Sequence, residues 1–391
     1  MRVAVVGGGA VGSACAMFLR RLDARVRVDV IEPDTGLRRA SSARSAASIR
    51  QQFSTDVNIR LSQFGLELLR DAQRWLGIDG GDAVDLGFVE SGYLFVATGE
   101  AAEQALRDNH AVQCAAGADV SLLLPAELAR RVPWLRCDDV RLASLGERGE
   151  GWFDGYALAR ALAAGSRALG ATWRASPVVG FERDGTRLRS ARLADGSRID
   201  ADVFVLAAGA WSRAVGALAG VEVPVFARRR TVFVFGCPTP LPRTPLVIDP
   251  SGVWFRSEGS GFIGGWSPGA HDDDPDDLPL DEPDLAQFDG RVWPALAHRV
   301  PAFDALRRTR AWDGYYEVHP LDHNALVGPH PACANLLLAC GFSGHGLQHA
   351  AGVGRGIAEW VVHGGWRSID LSPLSPARAA QGRPLVERAV I

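Results

Sequence analysis

The chain has 391 residues, a length that accommodates two or three domains, and 47% of them are hydrophobic, as in ordinary globular proteins. Its formal net charge of −3 gives no indication of a nucleic-acid partner. All 42 basic residues are arginine, which excludes lysine as a nucleophile or Schiff base.

The six cysteines are scattered, with no CxxC pair and no Cys/His spacing typical of a metal site. We therefore expect free thiols and no bound metal. No apolar run reaches the length of a membrane-spanning helix, and Met1 leads directly into a strand rather than into a signal peptide. These features predict a soluble, cytoplasmic protein with no membrane span.

The first predicted elements form a strand–turn–helix unit. A short apolar strand at 3–6 is followed by a helix of small residues at 10–20. The two are joined by G-x-G-x-x-G, whose glycines are Gly7, Gly9 and Gly12. In such a unit the first glycine permits a tight turn, the second lets a pyrophosphate approach, and the third lets helix and strand touch. Ala10 and Val11 then lie at the helix N-terminus, where free amides attract phosphate.

A second predicted strand, Val26–Ile31, ends at Glu32, 20 residues after Gly12. A carboxylate at this place accepts a hydrogen bond from a ribose hydroxyl and argues against a 2′-phosphate. The full context predicts a dinucleotide site, although it does not distinguish FAD from NAD. The alternative is an ordinary strand–helix turn with a surface glutamate.

The next elements in chain order begin with a loop at 41–54 that carries Arg50. We predict helices at 56–76, 100–116 and 125–135 and within 151–170, strands at 84–90 and 92–97, a strand pair with a turn at Asp195–Gly196, an apolar strand that opens 202–212, and β-structure over 223–266. The acidic stretch 271–284 is predicted to be a solvated loop rather than a metal site, followed by a helix at 284–298. Residues 367–391 have no clear period and are predicted to form an ordered tail over the surface.

Three strand-to-glycine turns, at 6–12, 206–212 and 339–346, are the main argument about the cofactor. One such turn usually suffices in a nicotinamide dehydrogenase, so three favour a long cofactor lying across a sheet, which fits FAD better than NAD. The last turn reads GFSGHG, with Gly341, Gly344, His345 and Gly346. A helix predicted from about Leu347 to Val362 follows it, and its free amides would stabilise negative charge on a reduced flavin.

These segments together resemble the FAD-dependent D-amino-acid oxidase superfamily, in its glycine oxidase and sarcosine oxidase branch. The resemblance rests on the N-terminal glycines with Glu32, on ASIR (47–50), on AAGAWS (207–212) and on GFSGHG (341–346). The sequence is most similar to the FAD-dependent oxidoreductase domain subgroup of the complex I assembly type. That similarity is carried by SIRQQFS (48–54), AWDGYYEVHPLDHNALVGPHP (311–331), GFSGHGLQHAAGVGR (341–355) and IDLSP (369–373).

The resemblance implies an α/β fold. A doubly wound, Rossmann-type FAD-binding domain is joined to a second α+β substrate domain with a large mixed or antiparallel sheet. We expect the first domain to comprise residues 1–83, 145–215 and 325–391, and the second to comprise 84–144 and 216–324. Besides the glycine turns, the resemblance implies FAD contacts at Ser42, Arg44, Ser45, Ala46, Val179, Ala208, Gly209, Trp211, Leu347 and Gln348.

Family chemistry is the oxidation of an amine. Hydride passes from the α-carbon of the neutral amine to flavin N5, and the imine hydrolyses to an amine plus a carbonyl product, which is glyoxylate for an N-substituted glycine. Arg50 matches the arginine that binds the substrate carboxylate in sarcosine oxidases, with Arg256 as a second candidate. Tyr315 and Tyr316 match pocket positions that include the carboxylate arginine of glycine oxidases. His345 is expected to contact the flavin rather than to act as a base.

The chain departs from the family pattern at three places. The lysine that activates oxygen in sarcosine oxidases is absent and Trp266–Pro268 occupies the matching region, so the electron acceptor is O2, giving H2O2, or another acceptor. Gln348 replaces a substrate-binding lysine. Neither the cysteine nor the histidine that attaches flavin covalently in relatives is present, so we predict non-covalent FAD. Trp254 and Trp266 are expected to pack in the core rather than to wall the pocket.

Two other functions stay open at this point. One is an assembly or scaffold protein that keeps FAD for structure without turning over an amine, and the other is a nicotinamide dehydrogenase. The expected partners of the oxidoreductase are a small amine or amino-acid substrate and the electron acceptor. Monomer and dimer are both compatible with the sequence.

Overall fold

The structure is a computed structural model that describes residues 1–269 and 278–389. Its strands are, in chain order, β1 (Arg2–Val6), β2 (Arg27–Ile31), β3 (Ser48–Ile49), β4 (Val89–Glu90), β5 (Tyr93–Ala97), β6 (Val120–Leu123), β7 (Leu142–Gly146), β8 (Gly151–Trp152), β9 (Thr172–Arg174), β10 (Val178–Asp184), β11 (Arg187–Leu193), β12 (Arg198–Asp200), β13 (Val203–Leu206), β14 (Phe226–Gly236), β15 (Leu246–Ile248), β16 (Val253–Glu258), β17 (Gly261–Trp266), β18 (Arg307–Val318), β19 (Leu326–Pro329) and β20 (Leu336–Cys340). Its α-helices are α1 (Ala10–Leu22), α2 (Ser41–Arg44), α3 (Asp56–Arg70), α4 (Ala72–Leu76), α5 (Glu100–Ala115), α6 (Pro125–Arg131), α7 (Gly155–Ala168), α8 (Ser212–Leu218), α9 (Leu285–Gln287), α10 (Trp293–Arg299), α11 (Gly346–His363) and α12 (Ala377–Ala380).

The first large sheet has six strands in the order β19-β20-β13-β1-β2-β9. All neighbours in it are parallel except β19, which runs antiparallel to β20. The central strand β1 is apolar and buried on both faces: Val3 and Val5 pack on one side, Ala4 and Val6 on the other. A parallel strand covered on both faces has this continuous apolar run instead of an alternating one.

Helices α1, α7 and α11 pack together on one face of this sheet. Close approach of α11 to α1 depends on Gly354, where a Cβ would lie 2.5 Å from the Cβ of Ala14. A small antiparallel sheet, β10-β11-β12, shares the core on the opposite face. The carboxyl ends of the parallel strands are thus left free to bind a ligand, as is usual in doubly wound folds.

The second large sheet has eight strands in the order β18-β14-β17-β16-β15-β5-β7-β6. Its pairs are antiparallel except β15 with β5. One face packs on α10 and its flanking turns through an aromatic cluster that includes Phe233, Phe235, Phe255 and Phe303. The doubly wound α/β fold with a second large mixed sheet is therefore confirmed. The strands of the two sheets come from the two sets of segments that we assigned to the two domains, except that β7 crosses the predicted boundary after residue 144. The domain boundaries themselves stay a prediction.

Several element boundaries differ from those predicted. The helix predicted at 56–76 is broken at Asp71, whose side chain accepts a hydrogen bond from the Arg74 amide and caps α4. Only Val89–Glu90 of the predicted strand 84–90 is a strand, because the backbone at Gly87 has a positive φ of 57°. The strand pair predicted around Asp195–Gly196 has a third strand, β10.

Further differences lie in the C-terminal half. The predicted helix at 284–298 contains a π-helical turn, Phe288–Val292. Part of the acidic stretch 271–284 lies outside the described residues, so that prediction is not addressed at 271–277. The tail predicted to cover the surface is exposed at 381–384, but it also buries two charged side chains, those of Arg378 and Glu387. Among the described residues, no helix has both the length and the apolar character needed to cross a membrane.

Candidate active site

A cavity of about 550 Å³ lies where the carboxyl ends of the parallel strands face the eight-stranded sheet. Most of the predicted cofactor-binding residues line it, together with both predicted pocket tyrosines. These are Gly7, Gly9, Ala10, Val11, Glu32, Ser42, Arg44, Ser45, Ala46, Ala208, Gly209, Trp211, Gly344, Gly346, Leu347, Tyr315 and Tyr316. The long-range fold therefore brings three separated turns and the 41–46 segment to one site.

The turn between β1 and α1 forms one end of this cavity. Gly7 has φ +102°, and a Cβ there would lie 2.2 Å from the Ala207 carbonyl oxygen. At Gly12 a Cβ would lie 1.9 Å from the Gly7 carbonyl oxygen, which is the helix–strand contact expected for the third glycine although Gly12 does not line the cavity. At Gly9 the nearest atom to a Cβ is the Ser42 hydroxyl at 3.9 Å, so the backbone is open to the cavity.

The polar groups at this end suit a diphosphate. The N-terminus of α1 has no side-chain cap, so its first amides are available to an anion. The Ser42 hydroxyl is buried in the cavity wall and has no hydrogen-bond partner among the described residues. A phosphate oxygen would satisfy both the amides and the hydroxyl, so the residues present fit the phosphates of a dinucleotide.

Glu32 lies beside this turn. Its carboxylate accepts from the Gly8 amide at 2.8 Å and from the Asp34 amide at 2.8 Å. Burial raises the pKa of the Glu32 carboxyl, and these two hydrogen bonds partly oppose that rise. The side chain is thereby held in the cavity wall as an acceptor, and the ribose contact expected for it stays a prediction.

The turn between β20 and α11 forms the opposite part of the wall. Gly344 has φ +96°, and a Cβ there would lie 2.5 Å from the Tyr316 ring, so only glycine fits. Helix α11 begins at Gly346 with no side-chain cap on its first amides. Gly341 was predicted to contact the cofactor, but it does not line the cavity because its amide donates to the Glu317 carboxylate at 2.8 Å.

Glu317 is a site residue that the sequence did not reveal. It lies on β18 directly after Tyr316, lines the large cavity, and has its second carboxylate oxygen beside Gly346 at the start of α11. Burial raises the pKa of this carboxyl to about 7, although the Gly341 amide opposes the shift. Successive side chains of a strand point to opposite faces, so the sequence of β18 suggests that only one of Tyr316 and Glu317 faces the ligand. In the structure both line the cavity.

A second, smaller cavity of about 50 Å³ adjoins the first through Tyr316, Gly344, Trp254 and their neighbours. It brings together three of the predicted residues, Arg50, His345 and Gln348. Its remaining lining is largely apolar or aromatic, including Tyr93, Leu246 and Trp254. Trp254 and Trp266 pack in apolar clusters, as expected, and both also line the large cavity.

Arg50 is almost fully buried, with 1% of its surface exposed. Its guanidinium lies over the Phe53 ring at 3.9 Å and donates to the carbonyl oxygens of Gln52 and Ala389. Its Nη2 is 3.2 Å from His345 Nε2. Burial lowers the pKa of Arg50. Because the ordinary pKa of arginine is far above neutral, the side chain keeps its charge and is a fixed positive charge at the small cavity.

His345 and Gln348 both contact Arg50. Burial, followed by the Arg50 charge, lowers the pKa of His345 well below its ordinary value, so the imidazole is neutral. Gln348 Oε1 accepts from the Arg50 amide at 3.0 Å and from the Ser62 hydroxyl at 3.2 Å. The side chain that replaces the family lysine therefore fixes the backbone of Arg50.

Besides Gly12 and Gly341, two more predicted residues lie outside both cavities. Arg256 donates to the Ala46 carbonyl at 2.7 Å and forms an ion pair with Glu258. Its guanidinium therefore fixes the backbone at Ala46 and does not face either cavity, where it could bind a carboxylate. Val179 is 48% exposed because it points away from the wall, which is formed there by Pro177 and Val178. The prediction at Val179 was therefore displaced by one or two residues.

Comparison with known proteins assigns the family. The family model described as FAD dependent oxidoreductase matches residues 2–360. The chain belongs to this family. It is an FAD-dependent oxidoreductase, and the large cavity is the place whose residues fit FAD. The FAD-dependent oxidoreductase domain-containing protein 1 of Xenopus laevis is 38% identical over all of this chain and 84% of its own length.

Solved structures agree on the fold. L-proline dehydrogenase from P. horikoshii superposes with a TM-score of 0.84 at 26% identity, covering 98% of each chain. Glycine oxidase from Geobacillus kaustophilus superposes with a TM-score of 0.81 at 23% identity, covering 96% of this chain and 99% of its own. The family model and the Xenopus laevis relative confirm the predicted family and its FAD cofactor, so the nicotinamide dehydrogenase alternative was wrong.

Proposed function

We propose that this FAD-dependent oxidoreductase oxidises the C–N bond of an amino acid or N-substituted glycine whose carboxylate is bound by Arg50. The imine product would hydrolyse to an amine and a carbonyl compound. The observation that carries the proposal is the buried Arg50 charge at a small cavity that adjoins the FAD cavity.

The charge of the small cavity supports this substrate class. Arg50 is the one side chain in its described lining that is charged at neutral pH, since His345 is neutral. A fixed cation attracts a carboxylate and disfavours a second positive charge nearby. The cavity therefore favours an amino acid that is bound with its amine unprotonated, which is the form able to give up a hydride.

The walls of the small cavity support a compact substrate. Leu246, Trp254 and the Tyr93 ring are apolar surfaces beside the charge, and they limit access of water. Bound FAD supplies the hydride acceptor. The residues of this chain orient the carboxylate and the α-carbon against the FAD cavity, and orientation of this kind accounts for much of a hydride-transfer rate.

The structural neighbours support the reaction class. The two named above are called L-proline dehydrogenase and glycine oxidase, which are both oxidoreductases of an amino acid. Their names also include both kinds of acceptor, so we leave the acceptor of this chain as O2 or another oxidant. The flavin is proposed to be non-covalent.

The test is anaerobic reduction of the flavin in the purified holoprotein. A panel of N-substituted glycines and of D- and L-amino acids is added, and the visible flavin band is followed. We expect one class to bleach the band in the wild type, and the corresponding amino-acid amide to fail. Arg50→Gln should raise the concentration needed at least about 30-fold, because loss of one partner of a buried charge pair costs about 2–5 kcal/mol.

The opposite result has a clear meaning. A flavin that dithionite bleaches but no amine does would contradict amine oxidation and favour the assembly or scaffold role. If an amino acid and its amide bleach the flavin equally well, the protein is still an amine oxidoreductase, but Arg50 does not recognise the substrate carboxylate. Admission of air after bleaching then separates an oxidase from a dehydrogenase.

A further inference from the structure

The C-terminal segment 385–389 runs back to the small cavity and contacts Arg50. The Ala389 carbonyl accepts from the Arg50 guanidinium, although the two residues are far apart in sequence. Ala389 is 9% exposed and Glu387 only 1% exposed. No pattern in the sequence predicts that this segment is buried.

The Glu387 carboxylate holds the segment against the residues that follow Arg50. It accepts from the Ser54 amide at 2.8 Å, the Ser54 hydroxyl at 2.7 Å, the Thr55 hydroxyl at 3.0 Å and Asn58 Nδ2 at 3.0 Å. It also accepts from the Ala389 amide at 3.0 Å. These neutral donors fix the orientation of the buried carboxylate, because removal of a donor leaves part of its charge without a hydrogen bond.

Asp322 and Asn324 hold the other end of the segment. Asp322 accepts from the Leu385 amide at 2.9 Å through its carboxylate and from the Glu387 amide at 2.9 Å through its carbonyl. Asn324 donates to the Leu385 carbonyl at 2.6 Å and accepts from Asn58 at 2.7 Å. The HPLDHNALVG stretch (319–328) is thus the platform on which the segment lies.

The backbone around Arg50 is fixed independently of this segment. Glu150 accepts from the Gln51 amide at 2.6 Å and from the Gln52 amide at 3.1 Å, and Gln348 accepts from the Arg50 amide. The distinct contribution of the segment is therefore to the guanidinium, through the Ala389 carbonyl. Without that acceptor, the buried Arg50 head would lose a hydrogen bond that fixes its rotamer.

We propose that the segment 385–389 is a positioning element for the carboxylate-binding arginine, and that Glu387 is its positioning residue. This inference rests on the proposed function, since it assigns Arg50 to carboxylate recognition. It predicts that Glu387 acts on affinity for the carboxylate group without touching the ligand.

The experiment compares two ligands and four variants of the holoprotein. Pyrrole-2-carboxylate and pyrrole-2-carboxamide are titrated while the visible flavin spectrum is recorded, so that the difference in affinity reports carboxylate recognition. Glu387→Gln should weaken binding of the carboxylate at least tenfold and leave that of the carboxamide unchanged. Thr55→Val, which removes one donor to Glu387 and keeps the side-chain shape, should give a smaller loss of about two- to threefold.

The matched control is Glu359→Gln. Glu359 is also a buried carboxylate, 3% exposed, and accepts from the Arg367 and Ser368 amides at 2.9 Å and 3.0 Å, away from both cavities. Its substitution should change neither affinity. The inference would be overturned if Glu387→Gln weakened binding of both ligands equally. It would also be overturned if neither Glu387→Gln nor Thr55→Val weakened binding of the carboxylate.

Arg50→Gln separates this inference from the proposed function. If it abolishes the preference for the carboxylate while Glu387→Gln and Thr55→Val keep it, the segment has no positioning role and Arg50 retains its own. If Arg50→Gln keeps the preference, both proposals are wrong.

Discussion

Substitution of Gly12 by alanine tests whether the contact between α1 and β1 sets FAD affinity. The backbone of Gly12 has ordinary helical dihedrals, so alanine is not strained there by φ. Its Cβ would instead lie 1.9 Å from the Gly7 carbonyl oxygen. To reach even 3.0 Å, the helix and the turn must separate by about 1.1 Å, which is the difference between the two distances.

Two effects on stability oppose each other. Overpacking of this kind costs about 1–3 kcal/mol, whereas alanine inside a helix is favoured over glycine by about 1 kcal/mol. The net loss of unfolding free energy is therefore about 0–2 kcal/mol, and the variant should fold. The separation also displaces the free amides at the start of α1 from the phosphate site. We expect FAD affinity to fall at least tenfold, or about 1.4 kcal/mol.

The assay is titration of the apoprotein with FAD, followed by flavin fluorescence, with urea unfolding of the apo forms alongside. Gly236→Ala is the control, because a Cβ at Gly236 meets no atom within 4 Å. An FAD dissociation constant for Gly12→Ala within twofold of the wild-type value would refute the argument that this contact positions the phosphate-binding amides.

Two further predictions concern buried carboxyl groups. Burial raises the pKa of the Glu317 carboxyl to about 7, so this group gains negative charge in the cavity wall as the pH rises from 6 to 8. The midpoint potential of FAD, measured by spectroelectrochemistry, should therefore fall more steeply with pH in the wild type than in Glu317→Gln. Parallel slopes would contradict this. Burial by itself would raise the pKa of Asp322, but hydrogen bonds from His319 and Arg378 lower it below its usual range, so its contribution to stability is present above the unfolded-state pKa of about 3.9 and is lost as the pH falls below it. Asp322→Asn leaves the buried Arg378 without its carboxylate partner and should cost about 3–5 kcal/mol in urea unfolding at pH 7. A loss below about 1 kcal/mol would show that the carbonyl acceptors of Arg378, such as those of Leu374 and Asn324, are sufficient.

The parts of the site that the sequence predicted are those with local signals. The turn at Gly7, Gly9 and Gly12 was identified from the strand before it and the helix after it, and the structure places it at the large cavity. The turn with Gly344 and Gly346 was found in the same way. Such turns have steric requirements that act over a few residues, so a short stretch of sequence is enough to recognise them.

The errors concern side chains whose role depends on residues distant in the chain. Arg256 has the residue type for carboxylate binding but is engaged by the Ala46 carbonyl. Glu317 carries no local signal, and it becomes a site residue only because β18 passes beside the start of α11. The predicted ends of several strands and helices differ from the observed ones for a related reason. Single contacts, such as the Asp71 side chain that caps α4, decide where an element begins or ends.

Local patterns were enough to predict the dinucleotide-binding unit, because its glycines lie at fixed spacing between a strand and a helix. FAD and the family followed from three such turns and from the resemblance of longer segments. How Arg50 is held depends on the tertiary structure. Its partners His345, Gln348 and Ala389 come from segments that lie about 300 residues further along the chain. A buried charge requires acceptors from several directions, and only the folding of distant segments around it supplies them.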